Sequence, residues 1–245
     1  MFLKDRDWRY PLENLDRKFD EYYDNVKSER FHIDRGDFLR EWRFLEIIWG
    51  RLQTDFKVFY ENSYQKLGKT EDDFKQNVKK ARFRMHSFDC IQLDTQCFFL
   101  NARILMDRIA QLTKLFRFEI SEEKIRNKKF RSFKSLKNKI KELYENGKIK
   151  DKHECFAKKV IQQTDWFDKE LKDIRDTLMA HRDERSYVDM LKPDGTVIKG
   201  KAMFKKKEGN TVVEYEMKEI PNLNELMDCI CDFMHFFDNH FSRTR

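Results

Sequence analysis

Apolar residues recur along most of this chain at steps of three and four, the spacing that gathers them on one side of an α-helix. Leu12, Leu15, Phe19, Tyr22 and Val26 form the first such stripe, with Pro11 suited to a first helical turn. A longer stripe carries Phe38, Trp42, Leu45, Trp49, Leu52, Phe56 and Phe59, with Asp34 and Asp37 as N-cap candidates and a stop near Gly68. Thr70 followed by Glu71, Asp72 and Asp73 opens a third region, its acids placed where the positive end of the helix dipole favours them. That region is expected to reach Phe118 with a break between Ser87 and Thr95. Within it Phe98, Ala102, Leu105, Ile109, Leu112 and Phe116 share one face, flanked by Asn101, Arg103, Asp107 and Arg108. Two readings of these polar groups stay open: ion-paired bundle residues, or, for Asp107 and Asn101, groups that orient a functional side chain on a facing helix.

Leu136, Ile140, Leu143 and Tyr144 predict a short helix ended by Asn146-Gly147, and Asp151 is a cap for the segment that follows. Phe167, Leu171, Ile174 and Leu178 make a further stripe. Beyond it the period changes to alternation. Pro193-Asp194-Gly195 and Glu208-Gly209-Asn210 are turn signals, and Thr211–Met217 is the clearest β-prone run. A last helix, entered at Pro221-Asn222, places Leu223, Leu226, Ile230, Met234, Phe237 and Phe241 on one face, for core closure or a dimer interface. With seven Gly and three Pro to interrupt the helices, the fold class is mainly α, an antiparallel helical bundle with a small β-hairpin excursion before the last helix. The organisation is a single domain over 1–245: N-terminal helices at 1–68, a core at 70–186, the hairpin at 187–218 and a closing helix at 221–243.

Composition narrows the function classes. No apolar run approaches a membrane span and the start, Met1–Asp7, is too charged for a secretory signal, so a cytoplasmic protein with no membrane partner is expected. Cys90, Cys97, Cys155, Cys229 and Cys231 are odd in number and lack C-x-x-C spacing, which argues for buried free thiols over disulfides or zinc. His32, His86, His153, His235 and His240 show no H-x-x-x-H arrangement, so no metal is expected. There is no Gly-rich phosphate cradle and no G-x-S-x-G, so no cofactor is expected either. The net charge of +7 is modest beside 51 basic and 44 acidic residues. Its clustering is more telling: Lys124, Arg126, Lys128, Lys129, Arg131, Lys134, Lys137, Lys139 and Lys141 form a basic tract interrupted by Phe130 and Phe133. Such a tract suits either a solvated face or contact with a phosphate backbone, the aromatics packing or stacking.

The sharpest chemistry lies in Ile174-Arg175-Asp176-Thr177-Leu178-Met179-Ala180-His181-Arg182-Asp183. At about 100° per residue, Arg175 falls about 60° to one side of Leu178 and His181 about 60° to the other, so both border the apolar stripe. A guanidinium there can hold phosphate charge and an imidazole can move a proton near neutral pH, which together suit RNA cleavage. Arg182, near the stripe direction, is the next candidate for a phosphate contact. The structural alternative pairs Arg175 with Glu170 or Asp107 and leaves His181 as a cap at a helix C-terminus.

The run from Asp173 to Asp183 resembles the signature of the HEPN superfamily (higher eukaryotes and prokaryotes nucleotide-binding), an arginine, usually followed by a polar residue, with four to six residues before a histidine. Its wording looks most like the branch associated with phage abortive infection. The resemblance covers this helix strongly and residues 96–118 loosely. It implies an HEPN-like α-bundle that forms a homodimer, bringing two motifs into one metal-independent RNase site. Arg175 and His181 then inherit the catalytic roles and Asp176 the polar position beside the arginine. RNA is the implied substrate, contacted by Arg182, Lys128, Lys129, Arg131 and Lys134. The implied setting is a toxin or antiviral-defence effector with an antitoxin or other regulatory protein partner. The alternative is a non-catalytic HEPN-like dimer that binds a protein or nucleic-acid partner.

Overall fold

The computed structural model describes residues 3–22, 25–63, 71–116, 120–121, 131–172, 201–208, 211–219 and 222–243. Most of these are helical: α1 (Glu13–Tyr22), α2 (Asn25–Ser63), α3 (Glu71–Thr113), α4 (Phe133–Glu145), α5 (Glu154–Gln162) and α6 (Leu223–Arg243). Short 3-10 turns occupy Lys114–Phe116 and Asp151–His153, and a π-helical turn covers Phe167–Lys172. Two strands, β1 (Lys201–Glu208) and β2 (Thr211–Glu219), pair antiparallel from Lys201 opposite Glu219 to Glu208 opposite Thr211, with a register shift between Lys206 and Lys207. Among the described residues no helix is long and apolar enough to cross a membrane.

Two helix boundaries differ from the sequence expectation. α2 starts at Asn25 and runs through Asp34 and Asp37, which therefore cap nothing. Asp34 instead takes Arg30 Nε at 3.1 Å one turn earlier and is buried, so an in-helix ion pair replaces the local bond a cap would make. α3 is continuous through Ser87–Thr95, because Asp94 and Thr95 are themselves buried on the helix face. Asp151 begins a 3-10 turn that has no side-chain cap. The five cysteines are free, as expected, but none is buried: Cys155 is exposed and the others are half-buried.

The described residues divide into two compact units. The first draws on Met1–Arg6, Leu45–Leu100 and Asp173–Glu225. Its core holds Trp49, Leu52, Ile91, Phe98 and Phe99, with the Trp49 and Phe98 rings 5.7 Å apart. The Trp49 indole N–H donates to the Lys4 carbonyl at 2.9 Å, and the Arg6 guanidinium lies 4.8 Å from the Trp49 ring centre. Both contacts tie the extended N-terminal residues to α2.

The second unit draws on Asp7–Phe44, Asn101–Lys172 and Leu226–Arg245. The stripe Phe98 to Phe116 is buried at every expected position, five of them within this unit. Leu226, Ile230, Met234, Phe237 and Phe241 of α6 are buried as well. Fully burying each such side chain contributes roughly 2 kcal/mol. α4 has legible ends. The Ser132 hydroxyl accepts the Ser135 N–H at 3.2 Å, and Gly147, at φ 63°, closes a Schellman motif through Gly147 N–H to Tyr144 O (3.0 Å) and Lys148 N–H to Leu143 O (2.9 Å).

Candidate functional site

Phe167 and Leu171 open the stripe that leads toward the arginine and histidine of the sequence motif, and both are fully buried. The chain enters this turn through a Phe167 N–H to Thr164 O bond of 3.0 Å and then winds as a π-helix, the widened turn that accommodates one extra residue. The Phe167 ring packs edge-on against Phe133 at 4.7 Å and carries the Arg103 guanidinium 4.4 Å above its centre. Arg175, Asp176, His181 and Arg182 lie outside the described residues, as do Lys128 and Lys129.

Asp107 has a structural occupation. Its Oδ1 accepts the Phe133 N–H at 2.7 Å, holding the first residue of α4, and Arg103 Nε stands 3.4 Å from its carboxylate. Arg108 reaches Asp37 on α2 at 3.3 Å. Arg103, Asp107 and Arg108 are thus ion-paired within the bundle, while the motif arginine and histidine that Asp107 or Asn101 was expected to orient lie outside the described residues.

Within the basic tract three lysines of α4 have acidic neighbours. Lys137 bonds Asp165 at 3.1 Å and Asp168 at 3.0 Å, Lys139 is buried and bonded to Glu142, and Lys141 stands 3.8 Å from Glu145. Phe133 is a core residue with no face to offer a base. Arg131 and Lys134 are exposed on either side of the Ser132 cap, and the first turn of α4 holds no acid. Burial pushes the Lys114 ammonium down from its ordinary value; Asp34 opposes this, while Arg30 and Arg131 add repulsion. The start of α4 is thus a helix end whose first N–H is already bonded to the Asp107 carboxylate, with Arg131 and Lys134 exposed beside it.

Sequence reasoning passed over two other places in the second unit. One is an open cleft of about 340 Å³ lined by Asp7, Tyr10, Glu13, Trp42, His235 and Asp238, among others. Arg9 at its edge is already paired with Asp7, so carboxylates outnumber free cations and the cleft repels phosphate. The other is a histidine pair: His153 Nδ1 and His240 Nε2 lie 2.9 Å apart, joining positions 87 residues distant in sequence. A search for metal or catalytic spacing along one helix has no means of finding such a pair. Among the described residues no cluster of three histidine, cysteine or acidic side chains could hold a metal ion.

The chain matches no known family, no curated protein and no solved structure.

Proposed function

We propose that this protein is a metal-independent endoribonuclease of the HEPN type, acting as a toxin or phage-defence effector. The observation that carries the reading is the order of residues from Phe167 to His181: an apolar stripe, whose first two members are buried, flanked by an arginine and a histidine six positions apart. His181 acts as general base on the ribose 2′-hydroxyl or as acid on the leaving oxygen. Arg175 stabilises the negative charge that develops on the non-bridging oxygens of the phosphorane, with Asp176 beside it. A homodimer supplies a second copy of both groups, so that acid and base are separate residues. The products carry 2′,3′-cyclic phosphate ends. The exposed Arg131 and Lys134 at the start of α4 support an RNA substrate, and an antitoxin or regulatory protein partner belongs to the same reading.

The test is cleavage of labelled structured and unstructured RNAs in EDTA by the parent, Arg175→Ala and His181→Ala proteins, with the cut ends mapped chemically. The parent is expected to cut and each variant to lose about 10²- to 10⁴-fold in rate. Full activity in both variants, or strict dependence on magnesium, overturns the proposal. Binding without cleavage by a stable dimer transfers the assignment to a non-catalytic binding module. In the same system, replacing Arg131 and Lys134 together by alanine should weaken binding to all RNAs alike and flatten its salt dependence by up to about two in log–log slope. An unchanged slope removes these two residues from the interface.

A further inference from the structure

His153 is fully buried, and its second ring nitrogen, Nε2, has no hydrogen-bond partner. The pair it forms with His240 sits in a box of phenylalanines. Phe156 stacks on His240 at 5.3 Å and 19°, Phe236 at 5.8 Å and 21°, and Phe241 lies 5.8 Å from His153 at 30°. The box joins three elements: the 3-10 turn carrying His153, α5 carrying Phe156, and the last turns of α6.

A neutral pair satisfies the 2.9 Å contact with one proton, since one imidazole donates N–H and the other accepts. A further proton has no good place. On His153 Nε2 it has no acceptor; between the rings it sets two N–H groups against each other; on His240 it places a charge among phenylalanines, with Lys152 repelling it. The surrounding charges offer no relief. Lys150 and Lys152 on the His153 side repel a cation. Asp151 and Glu154 flank His153 in sequence but are exposed, and Glu154 is bonded to Lys158 at 2.7 Å. On α5, Lys159 lies over Phe236. On α6, His235 is exposed beside Asn239, and the Asp238 carboxylate is occupied by the start of α1. Phe116, whose ring is 4.3 Å from Phe241, stands in sequence between Lys114 and Arg117, both cations, the latter outside the described residues.

We propose that the His153–His240 pair is an acid-sensitive latch: proton uptake expels the pair from its phenylalanine box and frees the end of α6 from the turn and helix around His153. Burial first, and the neighbouring cations after it, push His153 down to about 3 and His240 to about 4 from an ordinary 6.5. The closed form therefore binds fewer protons than the open form below pH 6.5. Its advantage is complete above that value and is lost as pH falls toward 4.

Hydrogen exchange of the α6 amides from Phe237 to Arg243 in the full chain, corrected for intrinsic rates, reads the latch directly. Lowering the pH from 7 to 5 should raise opening by about twenty- to twenty-five-fold for each histidine that titrates. His240→Gln and His153→Gln, which cannot titrate, should each remove their part of the rise, whereas His235→Gln on the exposed face of the same helix should retain it. An equal rise in all three variants, or none in the parent, overturns the proposal. Imidazole NMR of the parent gives a check independent of variant folding: signals of a neutral pair at pH 5 support the latch, and two histidines titrating near 6.5 sink it.

Discussion

Two buried aspartates, Asp238 in one unit and Asp94 in the other, meet opposite surroundings. Asp238 on α6 accepts the Leu15 N–H at 2.7 Å, the Asn14 side-chain N–H at 2.8 Å and the Asn14 backbone N–H at 3.4 Å. These backbone groups belong to the first turn of α1, which has no intrahelical partner for them, so α6 supplies the cap that α1 lacks. Asp94 on α3 has the more buried side chain, 1% exposed, yet neither carboxylate oxygen has an aligned hydrogen bond. It has an ion pair with Arg51 at 2.8 Å, and Arg51 is 56% exposed. Burial alone therefore does not tell what an acid contributes. The donors that would be stranded without it decide the matter.

The largest effect should come from removing the well-bonded acid. Asp238→Ala leaves the Leu15 N–H in a buried place with no acceptor, and the expected loss in unfolding free energy is about 3 kcal/mol. Urea denaturation at pH 7 measures it. Asp238→Asn keeps one acceptor oxygen and should recover roughly half of the loss. A loss below about 0.5 kcal/mol for the alanine variant, the range of ordinary surface changes, would break the contrast with Asp94 from this side.

The same contrast explains what was legible in the sequence. Where a helix begins and ends through residues close in sequence, the signals suffice: Asn146-Gly147 closes α4 as expected, and the apolar faces of α3 and α6 are buried at the anticipated positions. Where polar residues are taken up on a helix face, by the same helix or another, local capping signals mislead. Asp34, Asp94 and Thr95 resemble caps or breaks, but each is buried within a continuous helix, Asp34 against Arg30 and Asp94 against Arg51. The candidate chemistry divides the same way. Arg131 and Lys134 were visible as exposed cations, whereas Lys137 was claimed by Asp165 and Asp168 about thirty residues on, a pairing that linear charge patterning does not encode. The Asp238 cap and the histidine pair span 224 and 87 residues. Such contacts follow from the packing of faces, and periodicity identifies faces without identifying their partners.

The smallest effects should lie at Asp94. Burial holds its carboxyl above the usual carboxylate range, with Arg51 opposing. A raised folded value means that the native state keeps a proton longer than the unfolded chain, so this group's contribution is most favourable in acid and declines as pH rises through the folded value. At pH 7 the charged form is thus a mild burden. Asp94→Asn should leave stability unchanged or raise it by up to about 1 kcal/mol at pH 7, with the gain fading toward pH 4. Arg51→Ala should cost about 1 kcal/mol by withdrawing the attraction that Arg51 gives the carboxylate, and that cost should vanish when Asp94 is already asparagine. A loss above about 2 kcal/mol for Asp94→Asn would mean that Asp94 strands donors as Asp238 does. An Arg51→Ala cost that persists in the Asp94→Asn background would mean that the arginine acts through its packing and not through the ion pair.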